Sequence, residues 1–119
     1  MEIKLEADNE LVTLKLVGSL VASTVVELKL QIAILIKKKY LFVLLDMKKI
    51  DFIDSFGLAT CIAIKRDLAV NAGLLACTGL NENVRRVFAL THADQKIMVF
   101  DDRNDAIAAL MERMQMVRK

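Results

Sequence analysis

Leu41-Phe42-Val43-Leu44-Leu45-Asp46-Met47-Lys48-Lys49-Ile50-Asp51-Phe52-Ile53-Asp54-Ser55-Phe56-Gly57-Leu58 is the stretch whose reading decides the fold. Leu41 to Leu45 is an unbroken apolar run of strand length, and apolarity on both faces marks a central strand covered from both sides. The polar mixture from Asp46 to Ile53 predicts a loop. From Asp54 a helix is predicted through Leu58, Cys61, Ile62, Lys65, Leu68 and Ala69, with Gly73 placed to end it as a left-handed cap. Asp54 or Ser55 supplies the N-cap, worth about 1 kcal/mol.

On the N-terminal side, Glu2 to Ala7 alternates, Asp8-Asn9-Glu10 supplies turn chemistry, and Leu11 to Val17 alternates again, so a hairpin of two half-buried strands closed by Gly18 is expected. Thr24-Val25-Val26-Glu27 has the spacing of a capping box. A helix should follow it, with apolar residues at 25, 28, 32, 35 and 36, up to the basic stop Lys37-Lys38-Lys39. That lysine run reads as a solvated helix terminus. On the C-terminal side come a buried strand at 74–78, a turn at 79–83, a helix at 84–91 and a last strand at 96–100. Asp101 or Asp102 then caps a terminal helix carrying Ala106, Ile107, Leu110 and Met114. The expected order is β-β-α-β-α-β-α-β-α: one α/β domain over residues 1–119, its sheet mostly parallel with an antiparallel first strand. Residues 111–119 are expected to fray.

Composition narrows the function. With 119 residues the chain has room for one core, and its 55% hydrophobic content is far from that of a disordered segment. Seventeen basic and fifteen acidic residues leave a formal charge of +2, so no nucleic-acid partner is expected. No apolar run approaches the roughly 18–20 residues of a membrane span, and the acidic, alternating start does not read as a signal peptide. A cytoplasmic location without membrane insertion follows as the expectation. Cys61 and Cys77 sit in apolar surroundings without CxxC spacing and read as buried, reduced thiols. His92 is the single histidine and reads as a loop or helix-end residue rather than a ligand or catalyst. None of the glycine-rich phosphate loops, zinc-binding helices or nucleophile elbows is present. No catalytic residue, cofactor or metal site is therefore expected.

What remains is the turn into the second helix. A loop after a parallel strand lies on the functional edge of such a sheet, and this one delivers Ser55 to a helix N-terminus. Free N–H groups and the helix dipole favour a negative charge there by roughly 0.3–1 kcal/mol, which suits a phosphate. Glycine inside the first helical turn costs about 0.8–1.0 kcal/mol relative to alanine, so Gly57 is selected by something other than helix propensity. Two reasons compete: another surface approaches the backbone beside Ser55, or the glycine relieves crowding against the strand. Phe56 is expected either to anchor a partner or to fold back onto Ile50 and Phe52.

The run Val43-Leu44-Leu45-Asp46, followed by Asp54-Ser55-Phe56-Gly57-Leu58, resembles the central signature of the STAS domain, the fold shared by bacterial anti-sigma-factor antagonists and the cytoplasmic tails of sulphate transporters. Gly18-Ser19-Leu20 sits where that family has Gly-x-Leu, and Leu80 to Leu90 with Phe100-Asp101-Asp102 resembles its third helix and final strand. The resemblance covers roughly residues 3–110. It implies that Ser55 is a phosphoacceptor and that Asp54, Ser55, Phe56, Gly57 and Leu58 meet the partner. That partner would be an anti-sigma factor that is also a serine kinase, with a metal-dependent phosphatase reversing its action. The unphosphorylated chain would bind the kinase and free the sigma factor; the phosphorylated chain would let go. Three positions depart from the pattern: Val21 replaces an aspartate, Phe56 a small residue, and Ala59 a frequent glycine. The alternative is an interaction module of the same fold that is never phosphorylated, in a signalling scaffold or as an accessory subunit of a membrane transport complex. The apolar content leaves room for a dimer.

Overall fold

The computed structural model describes residues 1–117. Five strands and four helices alternate in chain order: β1 (Glu2–Asp8), β2 (Leu11–Leu20), α1 (Val25–Lys37), β3 (Phe42–Ile53), α2 (Ser55–Val70), β4 (Leu74–Thr78), α3 (Glu82–Leu90), β5 (Met98–Phe100) and α4 (Arg103–Val117). The strands form one sheet in the order β1-β2-β3-β4-β5, with β1 antiparallel to β2 and all other pairs parallel. This is the mixed α/β architecture expected from the alternation of strand and helix patterns. The final helix runs without a break to Val117; residues 118 and 119 of the segment expected to fray lie outside the described residues.

Alternation along the strands sorts side chains to two faces. Val12, Leu14, Leu16, Val43, Leu45, Leu75 and Cys77 face α1, α2 and α3, and with Leu28, Ile32, Cys61, Ile64, Leu68 and Phe88 they build the main core. Leu11, Phe42, Leu44 and Ala76 face the other way, onto Ala106, Leu110 and Met114 of α4. Cys61 and Cys77 are free and buried as expected. Burial pushes the Cys61 thiol up to about 12 and the Cys77 thiol well above the usual thiol range, so both stay protonated at neutral pH.

Several local expectations are corrected. Asp46 to Ile53 is not a loop: β3 continues through it for a total of 12 residues, because β2 also continues past Gly18 and keeps pairing with it as far as Leu20↔Ile53. Two register irregularities in this pairing set buried residues at Met47, Ile50 and Ile53, a spacing of three that hides the strand period. Gly18 therefore lies within β2 instead of closing the hairpin. The hairpin strands are also not equivalent: β1 is an exposed edge, whereas β2 is buried over most of its first half and mostly half-buried beyond it. No capping box forms at α1. The Thr24 hydroxyl donates back to the Ser19 carbonyl at 2.6 Å, and Glu27 lies 4.0 Å from the N-terminal amine. At the end of α2 the left-handed residue is Ala72, not Gly73; Gly73 is required because a Cβ there would stand 2.2 Å from the Leu41 carbonyl oxygen. Helix α3 starts two residues earlier than expected, at Glu82, because Asn81 caps it through Val84 N–H at 2.8 Å. The last strand is shortened to three residues by a 3-10 turn at Ala93–Gln95, and His92 sits at the helix end before it with φ of 61°.

Candidate functional site

The site is built where two strand-to-helix turns meet. β2 ends at Leu20 and β3 at Ile53, side by side in the sheet, so the turns leading into α1 and α2 emerge together. Asp54 joins them. Its backbone N–H donates to the Leu20 carbonyl at 3.1 Å, its Oδ1 accepts from Gly57 N–H at 2.8 Å, and its Oδ2 accepts from Ala22 N–H at 3.3 Å. One carboxylate thus satisfies an orphan amide of α2 and an amide of the neighbouring turn. Asp54 forms no ion pair within 4 Å among the described residues. The extended part of β3 is held from the other side by Asn81, whose side-chain amide donates to the Ile50 and Asp51 carbonyls at 3.0 and 3.1 Å.

Gly57 closes the junction. An added Cβ would stand 2.1 Å from the Leu20 carbonyl oxygen and 2.9 Å from Ile53 Cγ1, so the first turn of α2 lies against the end of β2. Of the two reasons weighed for this glycine, crowding against the strand is the one present within the chain. Leu58 beside it is buried in the main core.

Capping by Asp54 leaves Ser55 free. Its side chain is exposed, occupies the first helical position, and makes no hydrogen bond to any described residue. Phe56 follows it with 62% of its surface exposed, and Ile50, one of the two residues onto which it would fold back under the second alternative, is buried in the core. Phe52 is exposed to 56%, so two phenylalanines bracket Ser55 in the chain and both face outward. Phe52 entered the sequence analysis only as a packing partner for Phe56; its outward position comes from the spacing of the buried Ile50 and Ile53 in β3. The sequence reading missed the role of Ala22, whose only contribution is a backbone amide. Of the five residues singled out, then, Asp54 is half-buried, Ser55 and Phe56 are exposed, and Gly57 and Leu58 are buried. Val21 lies in the same junction, half-buried, with its N–H bonded to Thr24 Oγ1 at 3.0 Å.

The chemistry on offer is recognition at an exposed hydroxyl. Among the described residues there is no group of three or more histidines, cysteines and acidic residues that could hold a metal ion, and no helix is long and apolar enough to cross a membrane. A concavity of about 570 Å³ lies over the middle of β2 and β3, the C-terminal end of β4 and the start of α4, and Ser55 does not line it. Lys4, Lys15, Asp46, Thr78, Asp102 and Arg103 line it, a nearly balanced set of charges.

A five-stranded mixed sheet with this β2–α1 and β3–α2 junction defines a small α/β domain, and comparison with known proteins specifies it. Residues 2–106 match the STAS domain family model, and the chain belongs to that family. A Thermotoga maritima protein named "Putative anti-sigma factor antagonist" is 29% identical over 72 residues, which is 60% of this chain and 64% of that relative. The aligned part is thus less than two thirds of the relative. The crystal structure of an anti-sigma factor antagonist from Mycobacterium paratuberculosis superposes with a TM-score of 0.83 at 19% identity, over 92% of this chain and 93% of that one. SpoIIAA, an anti-sigma factor antagonist, has been solved unphosphorylated (TM-score 0.80, 22% identity, 93% of this chain and 97% of that one). The phosphorylated form, from Bacillus, gives 0.71 at 22% identity, over 91% and 98%. At these identities the structural likenesses establish the fold.

Proposed function

We propose that this chain is an anti-sigma-factor antagonist, a non-enzymatic binding protein whose affinity for its partner is switched by phosphorylation of Ser55. The observation that carries the reading is the division of labour at the start of α2: Asp54 makes the cap, and the adjacent Ser55 hydroxyl is exposed and unbonded. A kinase can withdraw such a serine from its surroundings without breaking the helix. Support comes also from the family match and from a related fold, SpoIIAA, that exists in phosphorylated and unphosphorylated forms.

The partner is an anti-sigma factor with serine kinase activity, and a metal-dependent phosphatase restores the hydroxyl. The proposed contact segment is residues 54–58, with Ser55 and Phe56 meeting the partner and Asp54, Gly57 and Leu58 holding the turn that presents them. Phosphorylation places about −1.5 to −2 charges at the positive end of α2 and next to the Asp54 carboxylate. The helix dipole accommodates this charge, so the fold survives. A partner that had packed against a neutral serine must desolvate the phosphate or be repelled by it, and binding is lost.

Mass spectrometry of the protein recovered from its own cells tests the reading. Phosphate on the peptide containing Ser55, absent from a Ser55→Ala strain, is the expected result. A chain that stays unmodified while engaged with its partner, and that its partner kinase does not phosphorylate in vitro, would instead be the unmodified interaction module.

A further inference from the structure

The outer surface of α1 does not look like a surface. Its inward residues Val25, Leu28, Ile32 and Leu35 fill the core, yet Val26, Leu30 and Ile34 recur at every fourth position on the opposite side and are exposed, Leu30 to 60%. A helix that is apolar all round is normally covered. Beside this ridge, α1 and α2 leave a groove of about 590 Å³ lined by Ile32, Ala33, Ile36, Ala63 and Val70, with Lys29 at its edge. Val70, at the end of α2, is 80% exposed. The groove sits along the later turns of both helices, away from Ser55 at the start of α2.

Charge says what kind of partner fits. Lys29 flanks the ridge and Lys37, Lys38 and Lys39 close its end; all four are exposed, and none forms an ion pair within 4 Å among the described residues. Two carboxylates oppose these four lysines: Asp67, which lines the groove and lies 4.0 Å from Arg66, and Glu27, which lies 4.0 Å from the N-terminal amine. The rim is therefore net positive, which attracts an acidic surface and disfavours a second copy carrying the same lysines. Alanines 33 and 63 in the groove let a helical backbone come close, whereas a flat membrane would touch the ridge and leave the groove unfilled.

We propose that the α1–α2 groove is a docking site for an amphipathic helix of a partner protein, with an apolar stripe that seats against Leu30, Ala33, Ala63 and Val70 and acidic flanks that meet Lys29 and Lys37–Lys39. The proposal stands independently of the reading of Ser55. It is tested with the full chain and a synthetic helical peptide carrying leucines at i, i+3, i+4 and i+7 and glutamates on both flanks. Two controls accompany it: a scrambled peptide of the same composition and a lysine-flanked version. Fluorescence anisotropy should give at least about tenfold tighter binding of the acidic amphipathic peptide than of either control. Amide NMR shifts should fall on residues 29–37 and 63–71. Leu30→Glu and the triple change Lys37→Gln, Lys38→Gln, Lys39→Gln alter exposed side chains, should melt close to the parent, and should each weaken binding about tenfold or more. Three results would overturn the proposal. One is equal binding of all three peptides. Another is concentration-dependent dimerisation in sedimentation that Leu30→Glu abolishes, which assigns the face to a second copy. The last is co-sedimentation with vesicles of mixed phosphatidylcholine and phosphatidylglycerol, without peptide preference, which assigns it to a membrane.

Discussion

The starts of α1 and α2 are built at the same edge of the sheet, from adjacent strand ends, and they spend their polar side chains differently. At α1 the hydroxyl of Thr24 turns backward, donating to Ser19 and accepting from Val21 N–H, so it knits the turn and leaves the helix without a side-chain cap. At α2 the carboxylate of Asp54 points forward to Gly57 and sideways to Ala22. The first arrangement consumes its hydroxyl in structure. The second frees one, because the acid beside Ser55 does the structural work. An exposed serine at a helix start becomes available for modification only when a neighbour has taken over the capping role, and that is the difference between the two turns.

The comparison can be broken most forcefully at Gly57. Gly57→Ala should lower stability by about 3 kcal/mol, read as a reduced denaturation midpoint, since the new methyl would meet the Leu20 carbonyl oxygen at 2.1 Å. Near-parental stability would mean that the two turns are not locked together at this point. Next in size is Asp54→Ala, expected to cost about 1–2 kcal/mol through the lost cap and the unpaired Ala22 amide, with Asp54→Asn recovering most of it. Thr24→Ala removes the bond to Ser19 and should cost about 1 kcal/mol, whereas Thr24→Asp should bring no capping gain because the α1 cap geometry is not the one this side chain serves. The smallest effect belongs to Ser55→Ala, within about 0.5 kcal/mol of the parent by thermal or urea unfolding. A loss of 1 kcal/mol or more there would hand the cap back to Ser55 and erase the contrast between the two helix starts.

The alternation of apolar strands and helical stripes was readable because each such element buries a regular face. Leu41 to Leu45 and the 58–69 stripe have the periods that their environments impose, and the α/β order follows from them. The second half of β3 was not readable: bulged pairing replaces the two-residue period by Met47, Ile50 and Ile53, and Lys48-Lys49 between them has the composition of a loop. Around Ser55, the motif and the helix start were legible in sequence. The choice between Asp54 and Ser55 as cap was not, because both residue types cap well and only the position of Ala22, brought in from the neighbouring turn, lets Asp54 serve two amides at once. Gly57 shows the same limit, since its reason is a carbonyl 37 positions away in the chain. The outward stripe of α1 could have been noticed from Val26, Leu30 and Ile34, but a helix of mostly apolar residues does not declare which side is covered.

The central claim, that Ser55 is spare to the fold and decisive for binding, is tested most directly by titrating Ser55→Asp and Ser55→Ala against the kinase/anti-sigma factor while recording the melting temperature of each variant. The account predicts that both variants melt close to the parent, that Ser55→Ala binds as the unmodified chain does, and that Ser55→Asp binds a few hundred-fold more weakly, corresponding to a loss of about 3–4 kcal/mol. Equal affinities for the two variants would contradict it.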